Sequence, residues 1–168
     1  EAGFVDGPAA QARFHAPTGV AVDAMGRLYV ADGFNDRIRV IEAGAVRTLA
    51  GDGRPGFVDG IGAQARFDTP SGLALAGDGA LWIADTGNHA IRRIAPDGTT
   101  TTLGLHGDEP DAAPVSPVAI AIDAQQRLYV GELAQGRVLQ LEADGRARVL
   151  TGRDMAQRLA RPAGLAFD

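Results

Sequence analysis

Three acidic side chains recur at one position of a repeated pattern. Asp32, Asp85 and Glu132 each follow a short apolar run. Calcium favours several carboxylate oxygens, so these residues could form an acidic row that binds a cation. The alternative is that each carboxylate accepts hydrogen bonds from backbone N–H groups of its own turn. Repetition in every copy favours this structural role, since a ligand site usually breaks the symmetry of a repeat.

Histidine is the next candidate for chemistry, and the chain has three: His15, His89 and His106. His89 could be a base or a metal ligand. No second histidine lies at ligand spacing from it, which favours a packing or turn-bonding role. The sequence therefore predicts no cofactor, with calcium on the acidic row as the alternative.

Arginines on the predicted third strands could form a basic stripe for RNA. They are Arg37, Arg39, Arg92, Arg93 and Arg137. Interleaved acids and the lack of an aromatic stacking platform favour a solvated, ion-paired face instead. The chain has 16 basic and 21 acidic residues and a net charge of −5, which argues against nucleic acid as a partner.

Other catalytic signatures are missing. The sequence contains no Gly-x-Ser-x-Gly elbow, and the glycine-rich loop at 51–56 lacks the Gly-Lys-Ser/Thr ending of a phosphate-binding loop. Without cysteine there is no disulfide or thiolate chemistry. No apolar run approaches the ~20 residues that span a bilayer, and no signal peptide is visible.

The elements that position these residues are repeats. Anchor prolines at Pro17, Pro70, Pro117 and Pro162 are 53, 47 and 45 residues apart, close to the period of a propeller blade. Each opens a run in which small and large residues alternate, such as Gly72-Leu73-Ala74-Leu75. This alternation predicts a buried strand whose small side chains face the crowded central channel.

Three further strands follow in each repeat, with tight turns at residues 24–26, 77–79 and 124–126. The second strand is apolar on both faces, and the third alternates, which predicts a position nearer solvent. Four antiparallel strands of rising polarity describe one blade of an all-β propeller. The predicted boundaries are 1–16 (tail of a preceding repeat), 17–69, 70–116 and 117–161 (repeats one to three) and 162–168 (start of a fourth).

Connectors between blades carry their own copied pattern. Residues 3–7 and 10–14 match residues 56–60 and 63–67. The Ala-Gln-Ala-Arg-Phe piece predicts one helical turn that places Phe14 or Phe67 in a gap between blades. The third connector, 105–116, has lost the pattern, and the fourth, 153–161, keeps a helical remnant.

With Asp85-Thr86-Gly87-Asn88-His89 between its second and third strands, the sequence resembles the NHL-repeat family, named for an Asn-His-Leu signature. Blade one keeps Asp32 and Asn35 but has Asp36 in place of the histidine, and blade three departs most. The resemblance implies a six-bladed propeller, of which this chain supplies three complete four-stranded blades plus partial blades at both ends. We expect an incomplete ring, a fragment of a bacterial NHL-repeat protein whose remaining blades come from the rest of the gene product or from self-association.

Loops between second and third strands should emerge on the same side as the connectors. This loop face holds the ligand-binding candidates, namely Asp32, Asn35, Asp36, Asp85, Asn88, His89 and Glu132.

The predicted function is a non-catalytic scaffold that binds a protein, peptide or glycan on this loop face. The alternative, implied by resemblance, is a fragment of a propeller enzyme of the lactonase-like or amidating-lyase-like kind, with a metal over the channel. The inner strands offer no histidine or glutamate for that metal. The compartment is left open, with the resemblance leaning to an extracytoplasmic one.

Overall fold

The chain folds into β-sheets packed as successive propeller blades. A computed structural model describes residues 2–106, 114–142, 144–151 and 164–165. Pro162, most of the predicted fourth repeat and the helical remnant at 153–161 lie outside these residues. Within the described part there is no helix long and apolar enough to cross a membrane.

Blade one is a five-stranded antiparallel sheet with the order β1-β5-β4-β3-β2. Its strands are Gly7–Pro8 (β1), Pro17–Val22 (β2), Leu28–Asp32 (β3), Arg37–Glu42 (β4) and Ala45–Ala50 (β5). A 3-10 turn at Gly33–Asn35 joins β3 to β4.

Blade two repeats this arrangement with the order β6-β10-β9-β8-β7. Its strands are Gly60–Ile61 (β6), Pro70–Leu75 (β7), Leu81–Asp85 (β8), Ala90–Ile94 (β9) and Thr99–Thr102 (β10). Blade three has four strands in the order β11-β12-β13-β14, which are Pro117–Ile122 (β11), Leu128–Glu132 (β12), Arg137–Leu141 (β13) and Ala147–Thr151 (β14).

All four predicted strands are present in each of the three blades, and blades one and two carry a fifth, short strand that the sequence did not predict. The short strands β1 and β6 come from the connectors and pair with the outermost strand of the sheet that follows, Gly7 opposite Val46 and Ile61 opposite Thr99. Residues 1–16, assigned from sequence to a preceding repeat, are therefore hydrogen-bonded to blade one. Two paired residues leave no periodic pattern for sequence reasoning to detect.

Two apolar clusters hold the three blades together. Between blades one and two, Tyr29, Ile38 and Val40 pack with Leu73 and Ile83. Phe67 is fully buried in this cluster, which confirms its predicted place in a gap between blades. The helical turn before it is the 3-10 segment Gly62–Gln64, three residues long. Between blades two and three, Trp82 and Ile91 pack with Ile120, Val130 and Leu139.

The small residues of the inner strands face the next blade, which corrects the expectation that they face the channel. A Cβ atom at Gly19 would lie 2.0 Å from the carbonyl oxygen of Ser71, and one at Gly72 would lie 2.8 Å from that of Val118. Their large neighbours, such as Leu73, point back toward the preceding blade. Sheets converge near the axis, so the space between inner strands admits only glycine at this position.

The expectation that third strands lie nearer solvent is also wrong. In β4 the central residues Ile38, Arg39 and Val40 are all fully buried, and in β9 so are Ile91 and Arg92. The alternation in the sequence reflects a buried arginine, not an exposed one.

Gly19→Ala should destabilise the protein by ~1–3 kcal/mol, because the new methyl group would push β2 away from β7. Urea denaturation measures the change in the free energy of unfolding. Gly104→Ala is the matched control, since a Cβ atom there meets nothing within 4 Å. Equal stability of the two variants would contradict the close approach of the inner strands.

Candidate functional site

The loop face is organised by a buried ion pair in blade one. Arg39 of β4 and Asp32 at the end of β3 are both fully buried, with Nη1 2.7 Å from Oδ2. The two residues are seven positions apart, on either side of the turn that joins β3 to β4. The pairing of these neighbouring strands brings their side chains together. The other oxygen of Asp32, Oδ1, accepts a hydrogen bond of 2.7 Å from the His15 N–H.

The preceding connector folds over this arginine. Arg39 donates to the carbonyl oxygens of Val5 and Arg13 and to the Asp6 carboxylate, which lies 2.6 Å from Nη2. The guanidinium lies between two aromatic rings, 4.7 Å from the Phe4 centroid and 4.8 Å from the Phe14 centroid. We call the buried arginine, its carboxylates and the two phenylalanines the arginine clamp.

Blade two contains the same clamp 53 positions later. Arg92 Nη1 lies 2.7 Å from Asp85, and Nη2 lies 2.9 Å from Asp59. The Phe57 and Phe67 rings are both 5.0 Å from the guanidinium. The copies differ at Nε, which in Arg39 donates to Asp6 at 3.0 Å but in Arg92 is buried without a partner.

An asparagine completes each clamp. Asn35 Nδ2 donates to Asp32 at 2.9 Å and to the Gly3 carbonyl oxygen at 2.9 Å. Asn88 does the same with Asp85 and Gly56, both at 2.8 Å. The amide thus ties the loop after the second strand to the start of the connector.

Blade three keeps the ion pair, but its connector, residues 105–116, contains no phenylalanine that could form a clamp. Arg137 Nε lies 2.6 Å from Glu132, and both side chains are buried. Their separation is five positions instead of seven, and Glu132 also accepts the Val115 N–H. The longer glutamate side chain reaches an arginine at the start of β13, whereas the aspartates reach arginines at the middle of their strands.

Charges in the clamp are costly to bury, and their hydrogen bonds offset that cost. Burial raises the pKa of Asp85, while hydrogen bonds from Asn88, the Asp68 N–H and Arg92 oppose the rise. The two rings add cation–π attraction to a guanidinium that has lost its water. This set of contacts explains why a full charge is tolerated inside a blade.

A second pair of contacts links each blade to the next. Asp36 Oδ1 accepts the Thr69 N–H at 2.9 Å, and His89 Nδ1 accepts the Ser116 N–H at 3.0 Å. Asp36 and His89 occupy the same repeat position, and both have left-handed backbones with φ of 50° and 53°. Burial raises the pKa of Asp36, with the Thr69 N–H acting in the opposite sense. We call these contacts the interblade latch.

Comparison with known proteins identifies the repeats. Residues 14–41 and 67–94 match the NHL repeat model. Two segments of this chain are therefore NHL repeats. Those two segments contain the buried Asp–Arg pairs of blades one and two, so the NHL repeat here includes both ends of each ion pair.

Relatives of this chain include proteins of several kinds. It is 37% identical over 111 residues to Protein SUPPRESSOR OF QUENCHING 1, chloroplastic, of Arabidopsis thaliana, which covers 62% of this chain and 10% of that protein. It is 38% identical over 95 residues to NHL repeat-containing protein 2 of Gallus gallus, covering 54% and 13%. Virginiamycin B lyase of Nocardia farcinica is 30% identical over 176 residues, covering 89% and 59%.

The chain therefore spans about a tenth of the first two relatives and less than two thirds of the third. A solved structure of virginiamycin B lyase from Staphylococcus aureus matches 79% of this chain and 40% of that one, with a TM-score of 0.56 and 21% identity. At that identity the likeness shows the propeller fold alone.

The structure groups the predicted candidates within their own blades, where Asn35 bonds Asp32 and Asn88 bonds Asp85. Asp32, Asp85 and Glu132 each face the arginine of their own blade, and no three acidic or histidine side chains of the described residues are grouped to hold a metal. The backbone N–H groups they accept come from the preceding connector, which corrects the expectation that each carboxylate bonds its own turn.

The predicted solvated arginine face is wrong for Arg39, Arg92 and Arg137, which are 0–4% exposed. These three are ion-paired as expected, but they present nothing to RNA. Arg37 and Arg93 remain half-buried at the surface.

Sequence reasoning missed the connector half of the clamp. The signal was present, because Phe4, Asp6, Phe14 and Arg39 all recur 53 positions later. Identical spacing over both connector and strand indicates residues that touch one another.

Arg92→Met should destabilise the protein by ~3–5 kcal/mol, because Asp85 would remain buried without its partner. Arg93→Met, one position further along β9, removes a surface pair and should cost ~1 kcal/mol or less. Chemical denaturation of both variants checks the difference. A cost for Arg92→Met no larger than that of its neighbour would argue against the clamp as a stabilising centre.

Proposed function

We propose that this chain is a binding scaffold whose loop face recognises a protein, peptide or glycan. The clamp and the latch use the hydrogen-bonding groups of the polar candidates within the fold. Recognition then falls to the side chains of this face that remain exposed and that differ between blades.

The observation that carries the proposal is an exposed aromatic pair in blade one. Phe34 is 62% exposed, and its ring lies edge-on to His15 with centroids 5.2 Å apart. The corresponding residues of blade two are Gly87 and Asp68, so the pair breaks the repeat. Aromatic side chains are enriched at protein interfaces and at the residues that dominate binding energy, which supports a protein or peptide as the first choice.

Other apolar side chains of the same face extend this surface. Phe4, Phe57 and Leu133 are between 42% and 56% exposed. Phe4 and Phe57 each turn one face to a clamp arginine, so they are held in place before any partner binds. Pre-ordered aromatic rings lose little conformational entropy on association.

Phe34→Ala should weaken partner binding about tenfold or more, as expected for an aromatic residue central to an interface. Affinity purification with quantitative mass spectrometry compares the wild type, this variant and Met25→Ala. Met25 is the matched control because it is 73% exposed on the opposite end of β2 and β3. Partners recovered equally with all three would contradict loop-face recognition.

The second candidate is an enzyme, and the specific observation in its favour is the 30% identity to virginiamycin B lyase over 89% of this chain. In this second candidate, calcium or another divalent ion would be bound over the central channel. The described residues supply no metal-holding group, so its ligands would have to come from elsewhere in the complete protein.

Incubation of the full-length protein with virginiamycin B, followed by mass spectrometry, separates the two candidates. On the scaffold proposal we expect no product above the buffer control, with or without added calcium or magnesium. Turnover that a chelator abolishes would establish the enzyme instead.

A further inference from the structure

The end of the blades opposite the loop face is closed by a side-chain triad in blades one and three. We call this end, with the turns at 23–27, 76–80 and 123–127, the turn face. In blade one Asp23 pairs with Arg27 at 2.5 Å and accepts the Tyr29 hydroxyl at 3.2 Å. In blade three Asp123 and Arg127 pair at 2.6 Å, and the Tyr129 hydroxyl donates at 3.1 Å.

Blade two has lost this triad. Its three positions hold Ala76, Ala80 and Trp82. Asp78, in the turn itself, accepts the Ala80 N–H at 2.9 Å and reaches across to Arg93 at 2.7 Å. Small residues in place of an aspartate and an arginine leave space between this turn and blade three.

That space is a cleft of about 570 Å³. It is lined by Ala76, Gly77, Asp78, Trp82, Arg93, Ile122 and Gln126. Clefts of this size with apolar walls and a few polar groups are typical of small-molecule sites. We propose that the cleft between blades two and three on the turn face binds a neutral saccharide.

The polar side chains at the edge of the cleft, Asp78, Arg93 and Gln126, determine which ligand it can bind. Among the described residues, the Arg93 guanidinium donates to Asp78 and lies over the Trp82 ring, 6.0 Å from its centroid. A guanidinium has five N–H groups, so further donors are left for a ligand. The Gln126 side-chain oxygen accepts a hydrogen bond of 2.7 Å from the Gly77 N–H. The amide nitrogen of Gln126 is therefore a second donor for a ligand. The Ala80 N–H and Arg93 hold the pKa of Asp78 below its usual range, and the carboxylate is therefore an acceptor at neutral pH.

Donors and an acceptor on one rim match hydroxyl groups, because a hydroxyl both donates and accepts. The opposite charges of Asp78 and Arg93 offset each other, which disfavours an anion or a cation relative to a neutral ligand. The apolar wall of the cleft is the half-buried Ile122 with the edge of Trp82, which is 8% exposed. The C–H groups of a sugar ring can pack against this wall.

This site does not rest on the loop-face proposal. The residues that line the cleft belong to turns and strand ends at the other end of the blades, and none is part of the clamp or the latch. Sugar binding here and partner binding there can each fail alone.

Trp82 gives a direct readout because it is the chain's single tryptophan. Maltose, cellobiose and lactose are titrated in turn while its fluorescence is recorded, up to about 10 mM, ten times the half-filling concentration of a millimolar site. We expect a saturable change with at least one of them. Arg93→Gln, which copies Gln140 of blade three, should weaken that binding about tenfold.

Two controls make the test decisive. Arg148→Gln changes an exposed arginine of β14 and should bind as the wild type does. The triple variant Ala76→Asp/Ala80→Arg/Trp82→Tyr restores the triad of the other blades and should abolish sugar binding. Its binding is measured by calorimetry, because the variant has no tryptophan. Absence of a saturable change with all three sugars would overturn the proposal, as would unaltered affinity in Arg93→Gln or in the restored triad. Binding of benzoate, an anionic aromatic probe, without binding of any sugar would also overturn it.

Discussion

Blades one and two each depend on one buried charge, that of Arg39 or Arg92. A guanidinium in the middle of a sheet is tolerated only if its N–H groups find acceptors, and the strands alone cannot provide them. The acceptors come from both sides of the arginine, from the aspartate at the end of the second strand and from the connector that precedes the blade. The charge therefore requires that connector, loop and third strand be assembled together, which apolar packing alone would not specify.

Contacts between blades follow a different rule. Near the axis the inner strands approach so closely that glycine is required at Gly19 and Gly72. Further out, Phe67 fills the widening gap and also covers the clamp of its own blade. One phenylalanine thus connects the arrangement inside a blade with the packing between blades, and the interblade latch adds a single hydrogen bond per junction.

Much of the fold could be read from the sequence, because strand positions depend on local patterns. The anchor prolines, the apolar runs and the glycine turns predicted every long strand in the described part. Asp32, Asp85 and Glu132 were correctly placed at one repeat position, but not their partners. Arg39 lies 25 and 35 positions from Phe14 and Phe4, and an arginine between apolar residues has the same pattern whether it faces water or a buried carboxylate. The direction of the small inner-strand residues was missed for a related reason, since alternation shows that two faces differ without showing what lies against each.

The clamp also has a consequence for how such a chain can grow by gene duplication. In blade one, all residues of the clamp lie in a single segment of the chain. This segment begins in the connector near Gly3 and ends with β5. A copied segment that started at the anchor proline would separate the arginine from both of its phenylalanines. One that started at the connector would carry a complete set of partners and could fold onto its neighbour at once. The segment that contains a complete set of clamp partners is therefore offset from the repeat marked by the anchor prolines by the length of one connector.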